Sequence, residues 1–377
     1  MKSWMNILLF GLITSGVVAQ TTPDAAVSAA LRNHPLVKAA TFEVQAKKYA
    51  EKTALKLPNP EVNAESPTGE FYALGVLQSF EFPTVYARQK QVAQAETALA
   101  QTGQRVSEND LRYTVRSLYL EVQVAEHLVR QWKTRDSLYQ AIAATAVRQF
   151  GGGEIDVLQK MLAENEAGAV HQERLAAEQN ALVLRQQLAT ITGLSDVGTL
   201  LPLGLDSLGA ATSANIANNP SVAFEQQSLR VAEKQVGLAK SLDLPSFSVG
   251  YLNQGARTTP LDYRFRVAVG IPLWVGQYRA GRQNAESQAQ AAQSRAEGQL
   301  QAVELEMGRT QTEAATALQK VRYHELQALP RSRSLIAAAL RMREAGQVDY
   351  VTFLRTLDQA FAIQREHAAQ VQSFETS

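Results

Sequence analysis

The residues able to do chemistry are few and dispersed. Five histidines, His34, His127, His171, His324 and His367, are scattered through 377 residues, and no two stand at the short spacing that offers both to one metal ion. They read as solvated or core residues. Cysteine is absent, so there is no disulfide framework, no thiolate metal site and no lipid-accepting thiol. No Ser/His/Asp order, Walker loop or dinucleotide fingerprint occurs. Gly151-Gly152-Gly153 follows a helical stretch and not a strand, which argues against phosphate binding. Carboxylates are plentiful, as on any solvated helix, and none is singled out as an acid–base pair. The sequence thus predicts no enzyme, no metal site and no cofactor. With 37 basic and 36 acidic residues it also gives no argument for nucleic acid.

Two short turns concentrate unusual residues. Gly153-Glu154-Ile155-Asp156 and Gly346-Gln347-Val348-Asp349 have the same form. A glycine that ends one helix in a left-handed conformation, and an aspartate in the first turn of the next, account for Gly and Asp. They do not account for Ile155 and Val348 at a wet apex. The expectation is that these turns form a docking tip for another helical protein.

The elements that position these turns are long. Thr84 to Gln149 is 66 residues without proline, with Gly103 its only glycine, and would run ~100 Å as one helix. Leu111, Val115, Leu118, Val122, Ala125, Val129 and Trp132 form a four-three heptad seam that asks for a partner helix. Ala177, Ala181, Leu184, Leu188 and Ile191, beyond the glycine turn, supply one. The picture is a long helix, a turn and an antiparallel return.

Helices Asp24–Asn33 and Leu36–Lys56 precede this hairpin, and the pattern then changes to period two. Val62 and Ala64 alternate with Glu61, Asn63 and Glu65, Ser66–Gly69 turns the chain, and Tyr72, Leu74, Val76, Phe80 and Phe82 alternate with smaller or polar residues up to Pro83. The order then repeats. A helix from Ser221 to Ser241 leads to Phe247, Val249 and Tyr251, a turn over Gly255–Pro260, and Tyr263, Phe265, Val267, Val269 and Ile271, closed by Pro272. A long helical stretch from Gln277 to Ala345 carries the seam Leu300, Val303, Met307, Thr310, Ala314, Ala317 and Val321; after Gly346 a last helix runs towards Phe374. Pro35 to Pro220 is 185 residues, Pro83 to Pro272 is 189 and Gly153 to Gly346 is 193, so an internal duplication is the economical explanation. The organisation read from this is a segment 1–19, a first repeat 20–195, a linker 196–218 and a second repeat 219–377. Pro330, inside the second long helix, is expected to kink or break it.

The first segment has Lys2, an apolar run Ile7–Val18 and small residues at Val17-Val18-Ala19, and reads as a secretory signal cut after Ala19. With export, the amphipathic strands favour a transmembrane barrel, the only strand architecture that exposes apolar faces to lipid. Four strands cannot close one, so identical copies must pool theirs with cyclic symmetry. Lipid-facing positions would be Tyr72, Leu74, Val76, Phe80, Phe247, Val249, Tyr251, Phe265, Val267 and Val269. Lumen-facing positions would be Glu61, Glu65, Glu81, Arg264 and Arg266. Tyr86, Trp274 and Tyr278 sit where an aromatic belt would lie.

This duplicated order of helix, β-hairpin, long helix, glycine turn and return helix resembles the TolC-like outer-membrane efflux proteins. The motifs are A-L-R-N-H-P-L-V at 30–37, L-P-N-P-E-V at 57–62, the F-P and I-P strand ends, G-G-E-I-D-V-L at 152–158 and A-G-Q-V-D-Y-V-T-F-L at 345–354. The last pair looks most like the heavy-metal branch. The resemblance implies a mainly α fold with a small β part: duplicated helical hairpins forming a periplasmic tunnel, and four strands per chain in a shared trimeric barrel in the outer membrane. It implies a homotrimer, and a tip that meets a periplasmic adaptor and, through it, an inner-membrane pump. The departures are a short chain, a short first hairpin and no anchor cysteine. Two other readings stand beside an export duct. A periplasmic adaptor has one helical hairpin flanked by soluble β-domains, and a structural coiled-coil envelope protein would not need duplicated amphipathic strands.

Overall fold

The computed structural model describes residues 20–55, 57–65, 73–203, 216–252 and 264–376. The segment 1–19 expected to be a secretory signal, Tyr72 and the turns expected at Ser66–Gly69 and Gly255–Pro260 lie outside the described residues.

The element order is the expected one. Helices α1 (Pro23–Asn33) and α2 (Pro35–Thr53) lead to strands β1 (Glu61–Glu65) and β2 (Ala73–Phe80). Then come α3 (Pro83–Gly151) and α4 (Val157–Thr192). After a 3-10 turn (Ile216–Asn218) the second repeat gives α5 (Pro220–Ser241), β3 (Ser246–Leu252), β4 (Phe265–Gly270), α6 (Val275–Tyr323), α7 (Leu329–Glu344) and α8 (Tyr350–Thr376). The repeats share local chemistry as well as order. α2 and α5 both begin with proline at the first turn, where its missing N–H is harmless. Each is capped by the residue before it: His34 Nδ1 accepts from Leu36 N at 3.3 Å, and Asn219 Oδ1 accepts from Ser221 N at 2.9 Å.

Two compact units divide the chain, and each draws on both repeats. One contains residues 31–113 and 208–319 and holds the sheet. In it the strands form one antiparallel sheet in the order β1-β2-β3-β4, so β2 and β3, from different repeats, are joined directly. The described parts of β3 and β4 are 7 and 6 residues, shorter than the ~9 expected from the spanning length of tilted strands.

The other unit contains residues 1–30, 114–207 and 320–376. Its core joins Tyr139, Ala143 and Ala146 of α3 to Ala163, Ala167 and Val170 of α4 and to Tyr350, Phe353, Leu357 and Phe361 of α8. The predicted seams of α3 and α4 turn inward at Val115, Val122 and Leu188, which are fully buried, whereas the α6 seam is buried only at its end, at Ala317 and Val321, and Leu300 at its start is 36% exposed. Alanine on one side and aromatics on the other allow close approach without voids. Arg135, buried here, is ion-paired with Asp358 and stacks 5.0 Å from Trp132, 5.2 Å from Tyr139 and 5.1 Å from Phe361, a setting in which a guanidinium keeps both its charge and its contacts. The described start of the linker is docked into this unit. Thr21 pairs with Leu200, and the Tyr119 hydroxyl donates to Thr21 O at 2.6 Å and accepts from Leu201 N at 3.0 Å.

At Pro330 the expected irregularity takes the form of a π turn. No break occurs; the turn before it, His324–Ala328, is π-helical, and Leu329 N bonds to His324 O. The wider turn inserts a residue ahead of the proline, which then sits in the first turn of α7, where its missing N–H and ring are tolerated.

Candidate functional site

Two features carry the sequence-predicted residues, the sheet and the pair of turns. In the sheet, strand register decides which side chains share a face, since a one-residue slip would move every one of them across. The ladders pair Val62 with Val76 and Ala64 with Leu74, then Val76 with Tyr251 and Phe80 with Phe247. Phe247 pairs with Val269, Val249 with Val267 and Tyr251 with Phe265. Leu74, Val76, Phe80, Phe247, Val249, Tyr251, Phe265, Val267 and Val269 therefore lie on one face, as the alternation requires. That face is open. Val76 is 47% exposed, Val249 50%, Val267 60% and Phe265 68%. Its one polar member, Gln78, places its amide against Pro58 O at 2.7 Å and Ser79 O at 2.9 Å.

The opposite face is mostly small, polar or charged, with Leu77 and, by register, Leu252 its large apolar members. Glu61, Leu77, Gly250 and Arg266 form one row across all four strands. Gly250 is required there, because a Cβ would lie 2.4 Å from Val76 O and 2.9 Å from Leu77 Cδ1. Glu65 shares this face by register; its side chain, like Tyr72, lies outside the described residues. Glu81 and Arg264 flank the strands, half-buried, and Glu81 N donates to the Tyr86 hydroxyl at 2.9 Å, which fixes the junction into α3. At the other junction Ile271, Leu273, Trp274 and Val275 are 66%, 74%, 76% and 66% exposed, a run of apolar residues that a water-facing connector would not carry.

The two turns are built alike. Gly153 and Gly346 have φ of +74° and +70°. Glu154 N bonds to Gln149 O at 2.9 Å and Gln347 N to Met342 O at 2.9 Å, the six-to-one closure of a glycine-ended helix. Asp156 then accepts from Gln159 N at 2.8 Å and Asp349 from Thr352 N at 3.0 Å. The bonds to Thr352 hold the Asp349 carboxyl below the usual carboxylate range. Between glycine and aspartate, Ile155 and Val348 are half-buried and pack against the Tyr139–Phe353 core. Their apolar character thus has a structural account that the turn chemistry alone did not supply. Beside them Tyr350 is buried, and that burial pushes its hydroxyl up to about 12.

Two groups left too faint a mark in the sequence to be found there. Val157, Leu158 and Met161 follow the first turn at 51%, 66% and 52% exposure, and Val351 follows the second at 45%. Their signal was a second apolar stripe on α4, off the buried Ala163–Ala167–Val170 stripe. The other is the stacking of His324 on His367, with His127 near enough for its charge to act on His367; they come from separate stretches and left no spacing to find.

No protein-family model matches the sequence, and no curated protein does. Solved structures match over almost the whole chain. Crystal structures of CusC, concerned with folding and transmembrane channel formation, superpose with a TM-score of 0.81 at 16% identity, covering 95% of this chain and 90% of that one. The outer-membrane channel OprN gives 0.80 at 14% identity, over 94% and 87%. The Campylobacter jejuni outer-membrane channel CmeC gives 0.79 at 13% identity, over 94% and 83%. With its helical hairpins, its four antiparallel strands and this likeness, the chain has the fold of the outer-membrane channel proteins, as its motifs implied.

Proposed function

We propose that this protein is the outer-membrane duct of an efflux pump: three copies close one barrel with their sheets, and the helical parts continue it into the periplasm as a passive tunnel. The observation that carries this reading is the open apolar face of the four-stranded sheet, set against a charged face and bounded by two strands paired on one side only. Lipid covers such a face, and barrel closure removes such edges. The exposed Ile271–Val275 run suits the belt where a barrel meets the periplasmic surface. The solvated charged face suits a lumen. Nothing in this reading calls for a reacting group, and the duct passes small substrates, such as metal ions or drugs, chosen by the pump behind it.

The turns are the docking tip for a periplasmic adaptor. Support comes from the apolar side chains beside them, Val157, Leu158 and Val351, which the core does not use. Ile155 and Val348 brace the tip from within. The test is Leu158→Asp combined with Val351→Asp in cells. Export is lost while the protein still reaches the outer membrane as an oligomer that forms conducting pores in planar bilayers. Undiminished export at normal protein levels removes the docking role. A soluble, stable monomer without detergent removes the duct itself.

A further inference from the structure

We propose that His127 and His367, the latter stacked beside His324, form a proton-operated joint in the helical unit, closed while their two rings are neutral and loosened when acid charges them. The joint lies at the π turn, the one irregular point of the second long helical stretch among the described residues. π turns are locally strained insertions and are frequent at functional positions. The inference stands on this packing alone and does not depend on the duct reading.

His324 opens the turn. It is 5% exposed, and its Nδ1 has no hydrogen-bond partner. Its ring centroid is 6.2 Å from that of His367 on α8, whose Nε2 is also buried without a partner. From α3, His127 Nε2 lies 2.9 Å from Gln131 Nε2. An amide nitrogen donates only to an unprotonated imidazole nitrogen, so this contact belongs to neutral His127. The same amide nitrogen donates to Gln364 O of α8 at 3.4 Å. A proton on His127 Nε2 turns the Gln131 amide over, oxygen inward, and removes the α3-to-α8 bond.

The surrounding charges set the direction. Arg130 faces the joint from α3, Glu325 from the π turn and Glu366 from α8. Each carboxylate stays beyond hydrogen-bond length: Glu366 is 3.8 Å from His324 Nε2, and Glu325 is 3.9 Å from His367 Nε2. Both are substantially solvated, which weakens their hold on a buried imidazolium. Burial lowers the pKa of His127, helped by Arg130, and burial lowers that of His367, helped by His324 and His127. The loosened state therefore binds more protons than the packed one. Stability of the joint is complete above the ordinary histidine value of about 6.5 and declines as pH falls through it. Just beyond, buried Ser332 donates to Ala360 O at 2.7 Å and holds α7 to α8, so the movement is confined to the level of the histidines. No three of these side chains come together with the geometry for a metal ion among the described residues.

The test is hydrogen exchange of the full chain in detergent at about pH 7.5 and 5.5, corrected for intrinsic rates. Protection over 320–332 and 360–370 falls about tenfold or more on acidification, while the turn at 343–352 is unchanged. His127→Gln and His367→Gln, made separately, each remove most of that pH dependence. A flat wild-type profile overturns the proposal, and so does a dependence that either folded variant retains in full. If one variant fails to fold, the wild-type profile and the other variant are enough to uphold or overturn the joint.

Discussion

Replacing Val267 by arginine separates a lipid-facing surface from a wet one. Val267 is already 60% exposed in the protomer, so in a soluble protein the change would cost within about 0.5 kcal/mol, as surface substitutions do. In a barrel the cost depends on depth. Val267 lies at the middle of β4, whose 6 residues run from Phe265 to Gly270. At ~3.4 Å per residue and ~40° of tilt the strand covers ~16 Å of the apolar band, centred near Val267. That band is ~25 Å tall, so Val267 sits near the midplane, where an arginine costs ~2–4 kcal/mol. Three copies triple it, to ~6–12 kcal/mol per closed barrel. Val269, nearer the strand end, pairs with Phe247 on the same face and shows a smaller penalty. Arg266→Gln, on the other face, leaves stability almost unchanged and alters conductance. The assay is insertion into lipid vesicles across a urea series, read by the heat-resistant oligomer on gels and by tryptophan fluorescence. Equal, small effects at 266 and 267 would refute the assigned faces and, with them, the barrel.

Two further outcomes concern the helical unit, beside the tip and histidine tests above. Gly153→Ala and Gly346→Ala each force a Cβ into a left-handed backbone and cost ~1–2 kcal/mol in urea unfolding followed by circular dichroism; no change in either variant shows that these turns relax freely. Phe353→Ala empties a site that is 1% exposed and costs ~3–5 kcal/mol in the same measurement, whereas Leu158→Ala, at a position 66% exposed, has almost no effect. Comparable losses from both would contradict the packing described for α8.

Local rules made most of the fold legible. Period-two alternation placed ten apolar side chains on one sheet face, and the nine among the described residues share it, because register admits no intermediate position. Heptad spacing located the buried seams of α3 and α4 for the same reason. What stayed hidden depended on residues far apart in the chain. The β2–β3 ladder joins Phe80 to Phe247, a pairing no local pattern encodes. Proline rules predicted a kink or break at Pro330, but the inserted π residue that keeps the backbone hydrogen-bonded ahead of it left no mark in the sequence. Ile155 and Val348 looked like surface residues because their partners on α3 and α8 are invisible from the turn sequence. The histidines looked inert for a similar reason: the stacking of His324 on His367 of another helix leaves no trace in spacing.

The sheet's edges bear on how the protein is made. Among the described residues β1 and β4 each pair on one side only, so a newly folded chain carries a row of unanswered amides and carbonyls at both ends of its sheet. In the three-copy barrel proposed above an isolated chain would be an adhesive intermediate, and its capture by two others a higher-order event. The time spent in that state lengthens steeply as the chains become dilute. On that proposal low expression would bring a second penalty beyond fewer ducts: a larger fraction of chains lost to proteolysis or wrong pairing before the third copy arrives. β1, with Glu61 and Glu65 on one face, resists mispairing by like-charge repulsion, whereas β4 presents Phe265, Val267 and Val269 and is the strand that most needs an escort.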